Sequence, residues 1–214
     1  MIVLQFLEVL LRAAAITLWI SWLALLLAAV LGSIVGLARM SRWLPVRLGA
    51  LAYAEVFRSI PTLVQLFFVY YGITFIFSLD LSPFAAATIA LSLEASALMS
   101  EVVRAGIQSV SRGQTEAALS SGMRAWQVQR YVIWPQAIRV MIPPAVGVYV
   151  STIKASSLAS IIGYIELTRV GLLIRESQRG GMLILVAVAA IYVIINYGIS
   201  LLGSALERRF RFVH

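Results

Sequence analysis

The sequence predicts an all-α integral membrane protein with five transmembrane helices, and three observations carry that prediction. It is 61% hydrophobic and only 12% charged over 214 residues, where a soluble domain is about half apolar and about a quarter charged. Its apolar residues collect in runs long enough to cross a hydrocarbon core, which takes about 20 residues. Its +8 net charge is nearly all arginine, concentrated in the segments between those runs. In so apolar a chain this pattern marks loops on one side of a membrane rather than a nucleic-acid surface. The absence of cysteine excludes a disulfide scaffold, and a single histidine, His214, argues against a histidine or thiolate metal site.

Charged residues delimit the spans. No charge lies between Arg12 and Arg39, which predicts a first span over about 13–38. The N-terminus lacks a basic stretch and a small-residue cleavage site, so this span is expected to be retained. The second span is expected over 59–79 and the third over 82–103, broken only by Glu94. Ser59-Ile60-Pro61 and Ser82-Pro83 set a hydroxyl cap ahead of a first-turn proline. The fourth span, 140–163, is interrupted only by Lys154, and Pro143-Pro144 either open it or break it. The fifth is expected over 181–206.

Arginine placement sets the orientation. Arg39, Arg42, Arg47, Arg58, Arg104, Arg112, Arg124, Arg130, Arg139, Arg208, Arg209 and Arg211 fall on one side. Arg12, Arg169, Arg175 and Arg179 fall on the other. The positive-inside rule then predicts an outside N-terminus and a cytoplasmic C-terminus, as an odd number of spans requires. The whole chain is expected to form a single transmembrane domain.

The cytoplasmic segment 104–139 is too polar for lipid and too regular for a slack linker. Ser111 to Glu116 has the polar, acidic character of a helix start, Gly122 breaks the pattern, and Trp126 to Trp134 resume it until Pro135. Two short helices joined at Gly122 are predicted, lying along the membrane face; by pattern alone they could be an ordinary amphipathic connector.

Within this segment, Glu116-Ala117-Ala118, three residues, Gly122, nine residues, and Val132-Ile133-Trp134-Pro135 resemble the EAA loop of ABC importer permeases. Val132 and Trp134 depart from that pattern but stay apolar. Arg58-Ser59-Ile60-Pro61-Thr62-Leu63-Val64-Gln65-Leu66 is similar to a stretch of the polar amino acid permeases. So are Glu101 to Ile107, Lys154-Ala155-Ser156-Ser157-Leu158 and Glu166-Leu167. The resemblance implies a type I ABC importer (MetI-like) permease core. It implies that Glu116, Ala117, Ala118, Gly122, Arg124 and Pro135 belong to coupling helices docking on separate ABC ATPase subunits. ATP and Mg would be bound by that partner, since no G-x-x-x-x-G-K-[ST] loop occurs here and no cofactor is expected in this chain. An extracytoplasmic substrate-binding protein would deliver a polar amino acid. A second permease copy, or a homologous permease, would complete the path within the membrane lipid.

Two ionisable residues sit deep in apolar runs. A charge at that depth costs about 2.5–3.5 kcal/mol on insertion scales, so it turns toward the protein interior, a partner or a wet path. Glu94 shares a helix face with Leu98 and Glu101; Gly147, Ser151, Lys154 and Ser157 form a small, polar stripe on the fourth span. Glu94 and Lys154 either pair with one another or line the path, where Gln65, Ser96, Ser156 and Ser157 are further candidates. Glu101 is expected to pair locally with Arg104. Compared with the family, Glu94 replaces a residue that is more often neutral, Leu98 a tyrosine, and Ala155 an Asp or Asn. An added carboxylate suits a basic amino acid; a neutral one such as glutamine is the alternative. A self-sufficient carrier would be favoured by an inverted repeat, and none is found. An intramembrane enzyme would need convergent acid, base or metal groups, which the sequence does not supply.

Overall fold

The computed structural model describes residues 2–177 and 181–210. These residues form helices and connecting turns. The first helix, α1, is Ile2–Ala38. It is followed by α2 (Leu44–Ser59) and by α3 (Thr62–Phe77), bent 104° from α2. Then come α4 (Pro83–Gln108), α5 (Arg112–Ser120), a long α6 (Ala125–Ile162), α7 (Leu167–Ser177) and α8 (Met182–Phe210). Four of these are long and apolar enough to span a membrane, and the bent α2–α3 pair, counted as one broken span, brings the number to the expected five.

The most buried helix, α4, is central. It starts where the Ala85 N–H donates to Ser82 Oγ (3.2 Å), with Pro83 in the first turn. It carries a run of small residues, and α1 answers with Gly32 and Gly36, one turn apart. A Cβ at Gly32 would lie 2.6 Å from Met99 Cβ; one at Gly36 would lie 2.9 Å from the Ser100 carbonyl oxygen. Only hydrogen fits there, so the two backbones meet as small residues allow in membranes, where packing replaces the hydrophobic drive.

At the α2–α3 bend, Gln65 Nε2 donates to the carbonyls of Phe57 and Ile60, both at 2.8 Å. The amide satisfies orphan acceptors at the end of α2 and ties the two helices. At the far end of the bundle, Gly163 (φ +86) ends α6; the Tyr164 N–H donates to Ala159 O and the Gly163 N–H to Ser160 O. The chain then reaches Glu166, fully buried. Its carboxylate accepts from the Arg169 N–H (2.9 Å), capping α7, from the Tyr192 hydroxyl of α8 (2.9 Å), and from the Thr17 hydroxyl of α1 (3.3 Å). Burial holds this carboxyl above its ordinary range, and the donated hydrogen bonds oppose that shift.

Several boundaries differ from the sequence expectations. The first helix starts at Ile2 rather than near 13, because Glu8 and Arg12 neutralise one another one turn apart (2.6 Å) and Leu10 is buried. The segment 44–59, which had no assigned structure, is a helix. Ser59 ends that helix and does not cap α3; Pro61 holds the cap position without a side-chain bond. Ser111 likewise precedes α5 without a side-chain cap bond. Pro135 does not end the second loop helix: a π turn over Val128–Ile133 leads into it, and the helix continues as the fourth span. Pro143 and Pro144 neither open nor break that span, which runs through both. Such prolines are tolerated where neighbouring helices support the backbone. The helix α7 also lay outside the expectations, as did the extension of α4 to Gln108. Arg179, Arg211 and His214 lie outside the described residues.

This packing makes a prediction. Gly36→Leu inserts a branched side chain against Ser100 O and Val103, and overpacking of this kind costs about 1–3 kcal/mol. A clearly lowered melting temperature in detergent is expected. Gly49→Ala, where a Cβ meets nothing within 4 Å, serves as the control and melts at or above the wild-type temperature. Equal melting of all three would contradict the close α1–α4 contact.

Candidate functional site

The residues with functional signatures fall into three places. The first is the loop 104–139. Its first helix, α5, ends at Gly122 (φ +82). There the Met123 N–H donates to Ala118 O (3.2 Å) and the Gly122 N–H to Leu119 O (3.0 Å). This double bond pattern needs a left-handed residue, which explains the glycine. The chain restarts at Arg124, whose N–H donates to Gln127 Oε1 (2.8 Å), and enters α6. One side of the loop faces inward: Ala118, Val128 and Ile133 are buried in one cluster with Val103 and Ile107 of α4 and Ala137 and Met141 of α6. The other side faces out, exposing Glu116, Ala117, Gly122 and Arg124. Leu119, Met123, Trp126 and Tyr131 are exposed beside them, with the last two rings 6.2 Å apart. Large apolar side chains grouped with polar ones mark an interaction surface. Pro135 is also exposed but lies further along α6.

The second place is the polar face inside the spans. Glu94 is half-buried and has the Thr62 hydroxyl of α3 within hydrogen-bonding reach. It forms no ion pair with Lys154, which is exposed along with Gly147 and Ser151 on one stripe of α6. Ser157 donates to Lys154 O (2.7 Å) beside them. The other candidates sit deeper. Ser96 is buried and bonds to the Tyr53 hydroxyl of α2 (2.6 Å). Ser156 is buried and donates to Ile153 O, and Gln65 holds the α2–α3 bend. The structure thus groups Glu94 with Thr62, and Lys154 with Ser157, and gives Gln65, Ser96 and Ser156 packing partners.

The third place is a cluster around Glu101 at the loop end of the bundle. Besides Arg104 (2.9 Å), Glu101 accepts from Arg39, the residue after α1 (2.5 Å), and Arg58 of α2 (3.0 Å). Arg39 also donates to Ser100 Oγ (3.1 Å) and has only 4% of its side chain exposed. Sequence spacing revealed the Arg104 contact alone. The two other arginines, 62 and 43 residues away, carry no local signal. Tyr53, Thr62 and Glu166 were missed as partners for the same reason, whereas Gly32 and Gly36 could have been read as a small-xxx-small pair.

A family model described as "Binding-protein-dependent transport system inner membrane component" matches residues 28–212. The chain belongs to this family. The glutamine transport system permease protein GlnP of Escherichia coli (strain K12) is 37% identical over 204 residues, covering 94% of this chain and 93% of that protein. The L-cystine transport system permease protein TcyB of Bacillus subtilis (strain 168) is 40% identical over 188 residues, covering 87% and 80%. Among solved structures, an amino acid ABC transporter described "with histidines" superposes with a TM-score of 0.89 at 35% identity over 96% of both chains. The MetNI methionine ABC transporter shares the fold, with a TM-score of 0.82 at 20% identity over 97% of this chain and 99% of that one. The protein is therefore a multi-pass inner-membrane permease of an amino acid ABC importer, a transport component rather than an enzyme. Permeases of this family carry no cofactor themselves, and the family implies an ATPase and a substrate-binding protein as partners.

Proposed function

We propose that this permease carries a basic amino acid inward, driven by ABC ATPase subunits that dock on the exposed side of its loop. The observation that carries the docking half is the two-sided loop. Leu119, Met123, Trp126 and Tyr131 lie exposed beside Glu116, while Ala118, Val128 and Ile133 are buried with the spans. An ATPase groove closing on the outer side moves α4 and α6 with it. Arginine placement puts the loop in the cytoplasm and the N-terminus outside, where an extracytoplasmic binding protein would release substrate. A second permease, identical or homologous, would face the exposed stripe of Gly147, Ser151 and Lys154, since five crossings enclose little on their own. ATP and Mg would be held by the ATPase.

The substrate half rests on Glu94. Among the described residues no cation pairs with it and Lys154 lies apart, so its carboxylate remains available to an ammonium or guanidinium group. Hydrogen bonds to charged groups are worth about 1.5–3 kcal/mol. A neutral polar amino acid is the second reading, favoured by the similarity to the glutamine permease; there Glu94 and Thr62 would bind an α-ammonium group instead.

Two experiments test this reading. For docking, the permease is purified with its neighbouring ATPase, as wild type and as Glu116→Lys plus Gly122→Asp. Wild type is expected to retain the ATPase and the double variant to lose it while keeping its helical circular dichroism. ATPase retained equally by both would overturn the docking assignment. For substrate, uptake competition by basic and neutral amino acids is compared between wild type and Glu94→Gln. Basic competitors should weaken about tenfold or more in the variant, from the loss of one charged contact. Unchanged preference and affinity would remove Glu94 from the substrate site.

A further inference from the structure

The arginine cluster at the loop end has more positive charge than its carboxylates can balance. Glu101 is shared by Arg39, Arg58 and Arg104, and the one further carboxylate, Glu55, lies 3.5 Å from Arg58. Arg47 of α2 is exposed, and its guanidinium forms no hydrogen bond or ion pair among the described residues. Four arginines face two carboxylates, an excess of two positive charges. Arg39 is almost completely buried, yet its Nε has no hydrogen-bond partner, although a buried donor left unpaired is costly.

These charges converge on a cavity of about 560 Å³ lined by Arg39, Met40, Arg47, Leu51, Arg104 and Gln108. Three guanidinium groups and one amide therefore border one space, and no carboxylate is among its lining residues. Guanidinium forks match the spacing of phosphate oxygens and bind them in pairs. The cavity lies between the end of α1, the end of α4 and the crossing helix α2. That helix and the residue before it expose Trp43, Leu44, Val46, Leu48 and Val56, the aromatic and apolar surface of a helix lying in a membrane interface.

From these observations we propose that Arg39, Arg47 and Arg104 form a phosphate-binding site open to the headgroup layer. The ligand chemistry is a phosphate, supplied by an anionic phospholipid whose acyl chains run along the exposed apolar residues of α2, or by free phosphate. Basic cavities between spans on the cytoplasmic side suit such headgroups, so the lipid source rests on the orientation proposed above. The site joins α1, α2 and α4. Its occupant would neutralise the excess charge that now bears on Glu101 and would fix α2 against the bundle.

The test uses the permease with its partner ATPase, purified from cells as wild type and as Arg47→Gln. Arg47 is chosen because it is exposed and unpaired, so its loss leaves the Glu101 cluster intact. Lipid released from the complex is quantified by mass spectrometry, and melting is followed in inorganic phosphate against chloride at equal ionic strength. Enrichment of phosphatidylglycerol over phosphatidylethanolamine in wild type, reduced about fivefold in Arg47→Gln, supports the site with lipid as its source. No enrichment, with phosphate raising the melting temperature of wild type but not of the variant, supports it with free phosphate as the source. Neither effect in wild type, or both unchanged in Arg47→Gln, overturns it. Co-purification of the ATPase is read from the same samples, so failure of the importer reading is visible separately.

Discussion

The burial of Ala118, Val128 and Ile133 in the same core as Val103, Ile107, Ala137 and Met141 is the contact on which the proposed coupling to an ATPase depends. A loop of this polarity could have hung from the bundle as a tether. Instead its inner side shares a dry interface with two spans, and its outer side presents Leu119, Trp126 and Tyr131. Close-packed interiors transmit displacement rather than absorb it. The second loop helix also continues, through the π turn at Val128–Ile133, into the fourth span, so under the proposed docking a push on the loop would be delivered along α6. The left-handed turn at Gly122 keeps α5 and α6 at a fixed angle, giving the surface its shape.

That lever needs a stiff bundle to act on. Stiffness comes from the hydrogen-only contact of Gly32 and Gly36 with α4 and from two polar knots at opposite ends. At one end Glu101 gathers arginines from α2, α4 and the residue after α1. At the other, Glu166 caps α7 and bonds to α1 and α8 through Thr17 and Tyr192. Removing one member of the buried Glu166 network leaves the remaining groups unpaired, which costs more than the bond itself contributes. Glu94 and the stripe of Gly147, Ser151 and Lys154 lie outside these knots, which is why the proposal gives them to substrate and to a second permease.

Much of this was legible in the sequence, because membrane burial imposes strong, local rules. Runs free of charge marked the crossings, Ser82-Pro83 marked the start of α4, and Gly122 marked the turn inside the loop. The spacing of Glu116, Ala117, Ala118 and Gly122 carried the family resemblance. Interpretation weakened where several residues compete or partners lie far apart. Helix ends ran beyond the apolar runs, since Glu8 and Arg12 neutralise each other and allow α1 to begin earlier. Pro135, Pro143 and Pro144 suggested breaks that neighbouring helices override. Gln65 and Ser96 read as path residues because they are polar; their specific partners on α2 lie too far along the chain for that reading to name them. The convergence of Arg39 and Arg58 on Glu101 depends on three helices meeting, which no local pattern encodes.

The most direct test of the lever is the amount of substrate taken up per ATP hydrolysed in proteoliposomes holding permease, ATPase and binding protein. Val128→Ala with Ile133→Ala loosens the inner side of the loop while leaving its outer side intact. The account predicts that this variant still binds the ATPase and hydrolyses ATP but moves several-fold less substrate per ATP, because the packed contact that transmits force has been hollowed. Unchanged uptake per ATP in a complex that retains its ATPase would contradict it.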